Sequence, residues 1–433
     1  MKQDPGFEGL GEGNVAMEKD RTKGRVGSSV EWEELEAHAR QQMQCWLQEL
    51  LEQEVTEFLG RSRSQRREAV DGTPAYRNGH GKPRRLAMQA GTVVVRRPRL
   101  RGLEERFESR ILPLFERRTK EVGELLPELY LHGLAHGDFE LALRGLLGDG
   151  APLSASSIER LRGKWQSEHE AWRGRSLEDR RLVYVWADGV YVKAGLEREK
   201  AALLVVIGGM VDGTKEILAI VPGHRESTES WSLVFRDLKR RGVKPPKLVI
   251  ADGNSGVWGA VAQVWPQARE QRCWNHKIVN VLDRLPKKAQ GAARAVLTKI
   301  PYAQTKTEAE KAKQDFAHEY RRTHSKAVEI LESDWDRMLT FYEFPAAHWK
   351  HLRTTNVVES PFASVRLRTT AAKRFKKVAS ATALIWKILL VAEKRFRRLN
   401  APELLLDVYE DREFKDGKAL PTVNENADLE AAA

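Results

Sequence analysis

After Arg181 the sequence changes to three apolar, β-rich runs in close succession. The runs are LVYVWADGVYVK, AALLVVIGGMV and KEILAIVPG, and only short turn segments separate them. Such runs predict three strands, and their short connections predict an antiparallel meander. The segment SWSLVFRDLKRRGV then predicts an amphipathic helix that ends at Gly242, and KLVIADGN predicts a fourth short strand. Three strands, a helix and a fourth strand follow the order of a ribonuclease-H-like core.

The net charge of the chain indicates the class of partner that it binds. The 433 residues carry 73 Lys and Arg against 61 Asp and Glu, which gives +12 and a pI near 9.5. A balance this basic favours a polyanionic partner, with nucleic acid first. The longest apolar stretch, residues 383–392, is interrupted by Lys387 and is about half the roughly 20 residues of a membrane helix. We therefore expect no membrane span.

The two cysteines, Cys45 and Cys273, are far apart in sequence, and no secretory signal is visible at the N-terminus. Two cysteines cannot form a disulfide framework, which agrees with a reducing compartment. The expected location is the cytoplasm, in association with the nucleoid.

Most of the net positive charge lies between Arg61 and Arg110, where there are thirteen Arg and one Lys against five acidic residues. This region contains a predicted strand from Thr92 to Arg96, which Pro98 should end. Charge runs are often only solvated surface. The Arg-rich composition instead favours contacts with DNA phosphates, and the candidate residues are Arg84, Arg85, Arg96, Arg97 and Arg99.

The next segment predicts three short helices joined by Gly-containing turns. One helix runs from Asp138 to Leu147, and Ser156 with Glu159 forms a capping box that should open another. This spacing is typical of a helix-turn-helix, whose second helix would present Arg160, Arg162 and Lys164 to DNA. Helix pairs of this kind also occur in ordinary α-helical domains, so the pattern alone leaves both interpretations open.

Three acidic residues are candidates for a metal site. Asp188 and Asp252 each follow an apolar run and precede a glycine, so both are expected at strand ends, where a hard cation can bind. An isolated Asp-Gly more often marks a turn. The third candidate, Glu359, lies alone among basic residues and could be either a metal ligand or a charge-neutralising partner.

Four motifs taken in order resemble those of the Mutator-type transposases of bacterial insertion sequences, which are DDE transposases. The motifs are VWADGVYVK, LVIADGNSGV, QRCWNHKIVNVLDRLPKK and FYEFPAAHWKHLRTTNVVESPFASVRLRT, and the resemblance extends from about Arg77 to about Arg397. It implies an α/β fold with a ribonuclease-H-like mixed five-stranded sheet. An all-α insertion would interrupt this sheet, and a helical, helix-turn-helix-like DNA-binding region would precede it. Residues 286–345 are rich in Ala, Lys, Glu and Gln at helical spacing, which independently predicts the insertion.

The resemblance also implies a catalytic and metal-binding triad of Asp188, Asp252 and Glu359, with Mg²⁺ as cofactor and Mn²⁺ as substitute. Two cations would serve hydrolysis and strand transfer in one site, and our hypothesis is that Asp188 bridges them. Double-stranded DNA, as terminal inverted repeats and target, would be the partner. Pairing two ends requires a homo-oligomer, at least a dimer. Arg353, Arg366 and Arg368 flank Glu359 and are further candidates for DNA contact.

The family's Cys-x-x-His falls on Cys273 and His276. Zinc needs four ligands, so a packing or supporting role near the metal site is favoured over a structural zinc site. Trp335 or Trp349 could stack on an extruded base, although a core role is the favoured alternative. Pro361 is expected in the first turn of a helix that starts near Glu359; a start at Asn356 would instead bend that helix.

These patterns divide the chain into seven segments. They are a disordered tail (1–28), an N-terminal helix with the Arg-rich region (29–110), the helix-turn-helix-like domain (111–180), the first part of the catalytic core (181–280), the α-helical insertion (281–350), the second part of the core with the Glu359 helix (351–400) and a C-terminal tail (401–433). Two rival functions remain open: a catalytically decayed or domesticated DNA-binding protein, and a structure-selective nuclease with the same core.

Overall fold

The computed structural model describes residues 34–66, 74–134, 138–148, 151, 155–194, 201–223, 226–372 and 375–421. The predicted disordered tail, residues 1–28, lies outside these ranges. The chain forms two compact units. The first comprises residues 1–122 and 143–152, and the second comprises residues 123–142 and 153–433.

The first unit is built on one long helix and two antiparallel strand pairs. Helix α1 (Leu35–Leu59) ends at Gly60, whose φ of 62° is the left-handed conformation that glycine adopts readily. The strands are β1 (Tyr76–His80), β2 (Arg84–Met88), β3 (Gly91–Val95) and β4 (Pro98–Arg101), with β2 paired to β3 and β1 paired to β4. The predicted single strand is therefore β3. Pro98 begins a further strand, because a proline without an N–H donor is tolerated at the first residue of a strand.

Helix α1 is bonded to the edge of β3 through glutamine side chains. Gln44 Oε1 accepts from Val94 N at 2.9 Å, and the Gln48 amide both accepts from Arg96 N and donates to Arg96 O at 2.9 Å. Leu51 of α1 packs with Val93 and Val95 in one apolar cluster. The helix thus satisfies a strand edge that would otherwise expose unpaired backbone groups.

Three helices follow: α2 (Lys120–Leu131), α3 (Phe139–Leu147) and α4 (Ala155–Arg173). Two of the three boundaries between the two units fall within α2 and α3. The prediction of three helices is confirmed, but the third is 19 residues long. The predicted cap at Ser156 is wrong, because α4 already includes Ala155 and Ser156 lies inside its first turn.

The second unit contains the predicted five-stranded mixed sheet. Its strands are β5 (Leu182–Val192), β6 (Ala201–Met210), β7 (Lys215–Gly223), β8 (Leu248–Ala251) and β9 (Arg269–Arg272), in the order β7-β6-β5-β8-β9. The meander prediction is confirmed, since β5, β6 and β7 pair antiparallel. Strands β8 and β9 run parallel to β5.

Helices α5 (Thr228–Arg240) and α6 (Ser255–Val264) connect the later strands. Ser227 caps α5 by accepting from Ser230 N, and Gly242, at φ 99°, follows the helix as predicted. Buried aromatic side chains of these connections, including Trp231 and Phe235, pack with Val185 and Ala187 of the sheet. The apolar composition of β5, β6 and β8 agrees with a sheet covered on both faces.

The segment after β9 is helical. It contains α7 (Trp274–Leu282), α8 (Lys287–Leu297), α9 (Lys306–Tyr320), α10 (Ser325–Glu332), α11 (Trp335–Leu339) and α12 (Trp349–Leu352). Every residue from 274 to 352 is described, and none of them belongs to a strand, which agrees with the α-helical insertion. Tyr184 and Trp186 of β5 hydrogen-bond to His348 Nδ1 and His351 O, so the insertion packs against the sheet.

The chain continues through α13 (Asn356–Glu359), α14 (Phe362–Ala372) and α15 (Val378–Glu393). The segment expected to be a C-terminal tail folds over much of its length into α16 (Leu404–Tyr409) and a hairpin of β10 (Phe414–Lys415) and β11 (Lys418–Ala419). Buried Leu405, Val408 and Phe414 give it its own apolar anchors. Among the described helices, none is long and apolar enough to cross a membrane.

Candidate active site

Two aspartates are brought together by the pairing of β5 with β8. Ala187 of β5 is the register partner of Ala251 of β8, so the residues that follow them in the chain, Asp188 and Asp252, lie next to each other. The prediction for Asp252 is confirmed, since it directly follows β8. The prediction that Asp188 ends its strand is wrong. Strand β5 continues to Val192, because its other neighbour β6 still pairs with it there.

A third carboxylate, which the sequence analysis missed, completes this group. Glu226 lies just before Ser227, the cap of α5, and is only 9% exposed. One ligand oxygen each of Asp188, Glu226 and Asp252 lie within 4.8 Å of one another. We call these residues the carboxylate cluster. Nothing in the local sequence RESTES separates Glu226 from an ordinary acid near a helix start, so only the fold identifies it.

Short backbone contacts hold the carboxylate cluster in place. Asp188 Oδ1 accepts from Gly189 N, and Asp252 Oδ1 accepts from Asn254 N, each at 2.8 Å. Asn254 also caps α6 and places its amide nitrogen 3.4 Å from Glu226 Oε2. The same asparagine therefore orients two of the three carboxylates.

Burial and mutual repulsion change the acidity of the group. The pKa of Asp188 is raised to about 7, first by burial and then by the charges of Asp252, Glu359 and Glu226. The pKa of Glu226 is also raised, again mainly by burial. Three carboxylates this close, with Glu226 buried and the two aspartates partly buried, form a donor set suited to a hard divalent cation, whose charge would offset the repulsion.

Gly189 has no side chain, and the carboxylate of Glu226 occupies the space where a side chain would lie. A Cβ built on Gly189 would lie 2.2 Å from Glu226 Oε1, at the movable end of that side chain. We expect Gly189→Ala to displace the Glu226 carboxylate and to weaken Mn²⁺ binding by roughly tenfold or more, with little change in melting temperature. Calorimetric titration with Mn²⁺ measures this. The matched control is Gly163→Ala on α4, where an added Cβ meets nothing within 4 Å. Equal Mn²⁺ affinity in both variants would contradict a cation site that includes Glu226.

Glu359 is the last residue of α13, and Pro361 follows it between α13 and α14. The predicted helix start near Glu359 is thus wrong. The helical turn begins at Asn356, and the chain is interrupted at Ser360 and Pro361 before α14 begins. A proline within a continuous helix would lose a backbone bond and crowd the preceding turn. The interruption leaves Glu359 at the end of a short, separate turn.

The Glu359 carboxylate belongs to a second group of side chains. One ligand atom each of Cys273, His276 and Glu359 lie within 4.8 Å of one another, and we call these residues the Cys-His-Glu cluster. His276 Nδ1 lies 3.8 Å from Glu359 Oε1, and Thr355 Oγ1 donates to the same carboxylate oxygen. Cys273 Sγ is fully buried, 3.1 Å from Thr355 Oγ1 and 3.3 Å from Thr355 N.

Charge couples the two clusters. The pKa of His276 is raised to about 9, first by the contact with Cys273 and then by the charges of Glu359 and Asp252, against the effect of burial. The Glu359 charge in turn contributes to the raised pKa of Asp188. The three acids of the predicted triad therefore lie in one region, with His276 beside Glu359 as a positively charged neighbour.

The two candidate stacking tryptophans lie in different surroundings. Trp349 is 5% exposed, and its Nε1 donates to Phe344 O at 2.8 Å, so it packs in the core. Trp335 is half-buried, meets Trp274 edge-on at 5.8 Å and has Lys313 Nζ 4.4 Å from its ring centre. Of the two, Trp335 alone keeps partial exposure.

The basic residues near Glu359 also differ in exposure. Arg366 is exposed on α14. Arg368 is 2% exposed, and its guanidinium lies 3.9 Å from the ring centre of Tyr130. Arg353 is half-buried against Tyr302, at 4.7 Å from its ring centre. Burial leaves Arg368 without an accessible surface for DNA and gives it a packing role in this structure.

The remaining predicted DNA contacts lie on α4 and in the first unit. On α4, Arg160 is exposed, Arg162 pairs with Glu159 at 3.1 Å and Lys164 lies 3.7 Å from Glu168. In the first unit, Arg84 donates to the carbonyl oxygens of Pro113 and Glu116, which fixes its side chain structurally. The other four are exposed or half-exposed: Arg85, Arg96, Arg97 and Arg99.

A groove in the second unit runs beside α13. Its volume is about 1100 Å³, and Asn356, Val357 and Ser360 form part of its wall. None of the described residues that line it is acidic, whereas five are Lys or Arg in addition to Arg353. These are Lys215, Lys350, Arg395, Arg397 and Arg398. The groove thus places unopposed positive charge next to the turn that carries Glu359.

The site therefore consists of neighbouring acidic residues on a mixed five-stranded sheet, which together could hold a divalent cation. A family profile described as Transposase, Mutator family matches residues 21–398. The chain therefore belongs to the Mutator family of transposases, which are enzymes that cleave and join DNA.

Several insertion-sequence transposases are similar to this chain. The transposase for element IS6120 of Mycolicibacterium smegmatis is 46% identical over 299 residues, which cover 69% of this chain and 93% of the relative. The transposase for IST2 of Acidithiobacillus ferrooxidans is 41% identical over 278 residues, covering 64% and 94%. The transposase for IS256 in transposon Tn4001 of Staphylococcus aureus is 26% identical over 349 residues, covering 79% and 86%.

Proposed function

We propose that the protein is a DDE-type transposase of an insertion sequence that binds terminal inverted repeats and catalyses phosphodiester hydrolysis and strand transfer. The observation that carries the proposal is the placement of Asp188 and Asp252 directly after the last paired residues of the parallel strands β5 and β8, with Glu359 close enough to influence the pKa of Asp188. The strand order β7-β6-β5-β8-β9, in which β6 alone runs antiparallel to the other four strands, supports a ribonuclease-H-like core.

A divalent cation fits the carboxylate cluster, and Mg²⁺, with Mn²⁺ as substitute, is the proposed cofactor. Asp188, Asp252 and Glu226 offer three oxygen ligands within 4.8 Å of one another, and Glu359 is the further candidate ligand. Such a cation would stabilise negative charge on the reacting phosphate. In the absence of the cation, burial of Asp188 and Glu226 raises the pKa of each carboxyl group.

The surrounding residues position the carboxylates. Asn254 orients Asp252 through its backbone and Glu226 through its amide. Thr355 and His276 hold Glu359, and Cys273 supports Thr355. We assign Cys273 and His276 this positioning role. Because Cys273 directly follows β9 and Thr355 directly precedes α13, the orientation of Glu359 depends on both elements.

DNA would approach through surfaces that are rich in Lys and Arg. The groove beside α13 is the proposed path of a strand near the active site, and the exposed arginines of the first unit and of α4 are the proposed contacts to the inverted repeat. The pair α3 and α4 is the proposed helix-turn-helix. Since two element ends must be cut together, we propose that the active form is a homo-oligomer, at least a dimer.

Removing positive charge from the groove should weaken DNA binding. Arg395 and Arg398 are exposed on the groove wall. We expect the double variant Arg395→Gln, Arg398→Gln to reduce the salt slope of the DNA association constant by about 2, because each lost phosphate contact removes about one released counterion. Fluorescence anisotropy across a salt series measures the slope. The control is Arg322→Gln, Lys326→Gln, on exposed positions of the α-helical insertion. A slope equal to that of the control would exclude this groove.

The experiment that tests the function is cleavage of a labelled duplex that carries the element's own end, in Mn²⁺. The expected result is nicking at the end, followed by joining to a target duplex, with little cutting of a duplex of unrelated sequence. Binding of the end without cleavage would support a decayed or domesticated DNA-binding protein. Cutting of branched or hybrid duplexes irrespective of end sequence would support a structure-selective nuclease.

A further inference from the structure

The Cys-His-Glu cluster combines a thiol, an imidazole and a carboxylate, which are the three ligand types that zinc takes from proteins. We propose that this cluster is a zinc site, and that Zn²⁺ bound there holds Glu359 away from the carboxylate cluster and inhibits the enzyme. The inhibition rests on the proposed function, whereas zinc binding itself does not. The site differs from the magnesium site in its ligands, since Mg²⁺ prefers oxygen and thiolate selects softer metals.

The three donors are held by two elements that are tied together. Cys273 directly follows β9 and is the residue that precedes α7, and His276 lies in the first turn of α7. Glu359 ends α13. A backbone bond from Trp274 N to Arg353 O, 2.9 Å long, joins the start of α7 to the segment before α13. The donors therefore meet because of the fold, and a cation would not have to assemble them from separate segments.

The distances allow coordination after small movements. The ligand atoms lie within 4.8 Å of one another, and zinc–ligand bonds of about 2.0–2.3 Å place tetrahedral ligands somewhat closer together. Thr355 would release the carboxylate of Glu359, which it now holds. Three protein ligands leave a fourth position for water, as in zinc sites that exchange ligands.

A cation can reach the cluster from one side. The side chains of His276 and Glu359 are 38% and 29% exposed, whereas Cys273 is fully buried behind them. Zinc would thus enter past the imidazole and the carboxylate and displace the thiol proton to solvent. Because Glu359 would then serve as a zinc ligand, it would not be available to the carboxylate cluster.

Cobalt substitution tests the binding without any reaction. One equivalent of Co²⁺ added to the full chain should produce a thiolate charge-transfer band in the near ultraviolet, and Zn²⁺ should remove it. We expect Cys273→Ser to lose the band and to weaken Zn²⁺ binding by more than about 100-fold. Replacing a residue that only hydrogen-bonds to a metal ligand already lowers metal affinity by about 10- to 100-fold, and loss of a ligand should cost more. His276→Asn should also weaken Zn²⁺ binding and shift the band.

The matched control is Cys45→Ser, because Cys45 is the other cysteine and is exposed on α1. It should keep the band and the zinc affinity of the unaltered protein. A band that survives Cys273→Ser, or no band in the unaltered protein, would overturn the proposal. If Cys273→Ser does not fold, as judged by its melting curve, the His276→Asn variant decides: zinc affinity equal to that of Cys45→Ser would also overturn it.

A second readout tests the inhibition. In Mn²⁺, saturating Zn²⁺ should slow end cleavage by the unaltered protein and by Cys45→Ser at least about tenfold. The reason is that Glu359, once bound to zinc, is no longer available to the cation in the carboxylate cluster. The ratio of rates without and with Zn²⁺ should fall to near one in Cys273→Ser, whatever its own rate. Cleavage that zinc does not slow, together with a clear Co²⁺ band, would reject the inhibition and keep the metal site. Absence of cleavage in every protein would reject the proposed function and leave the spectroscopic result standing.

Discussion

Replacement of Asp188 by Asn is expected to reduce DNA cleavage in Mn²⁺ by at least about 10³-fold, a loss of roughly 4 kcal/mol of transition-state stabilisation. Asp188 is central to the site, since Asp252, Glu226 and Glu359 all act on its pKa. Asn preserves the size of the side chain but removes the negative charge that attracts a divalent cation. Rates of nicking on the labelled end duplex measure the effect.

The same substitution should have the opposite effect on the stability of the metal-free protein. Folding raises the pKa of Asp188 from an ordinary 3.8 to about 7, so the folded state holds this proton more tightly than the unfolded state. Ionisation therefore removes stability as the pH rises from about 4 to about 7, and the penalty is complete above that. In a chelator at pH 8, Asp188→Asn should melt at a higher temperature than the unaltered protein, and the difference should disappear near pH 4.

The control for both measurements is Asp179→Asn, which alters an exposed aspartate before the same strand. Asp179→Asn should cleave DNA at the rate of the unaltered protein. Its melting temperature should also depend on pH in the same way as that of the unaltered protein. Cleavage by Asp188→Asn at a rate close to that of the control would show that Asp188 is not a catalytic carboxylate. A melting temperature that the substitution does not raise at pH 8 would show that the buried charge carries no such cost.

Replacement of Glu226 by Gln should reduce cleavage by about 10²-fold or more and weaken Mn²⁺ binding by about tenfold or more. The resemblance to the family assigns no role to Glu226, so this prediction depends on the structure alone. The side chain is 9% exposed and has a ligand oxygen within 4.8 Å of those of Asp188 and Asp252. Gln keeps the size of the side chain and one acceptor oxygen and removes the charge.

A nearby residue provides the comparison for Glu226. Glu229 lies in the first turn of α5, three positions along, and is exposed. Glu229→Gln should leave Mn²⁺ affinity and cleavage unchanged. If Glu226→Gln matched it in both measurements, the carboxylate cluster would reduce to two aspartates, and Glu359 would have to complete the cation site.

Much of the catalytic fold could be predicted because its signals are local. The strand runs, the helix that ends at Gly242 and the helical composition after β9 each depend on periodicity within about ten residues. Asp252 was placed correctly because an apolar run visibly ends before it. Asp188 was misplaced relative to its strand, because the length of β5 beyond it is set by pairing with β6 rather than by its own sequence.

The errors elsewhere have a similar origin. The pattern at Ser156 predicts a helix cap, but α4 starts one residue earlier. Strand β3 ends before Pro98 as predicted, whereas only the pairing of β4 with β1 shows that Pro98 also begins a strand. The basic neighbours of Arg368 in sequence predict a DNA contact. Its burial against Tyr130 depends on the packing of α14 against a helix more than 200 positions earlier in the chain.

The sequence by itself determined the family, the meander and the all-α segment, and it supplied the three acids of the proposed triad. Motifs and periodicity depend on residues that are close along the chain, so they can be read without coordinates. The tertiary structure alone showed that Glu226 joins Asp188 and Asp252, and that Glu359 also meets Cys273 and His276. These contacts arise where β5, β8, α7 and α13 converge, and such convergence is a property of packing between segments that are distant in sequence.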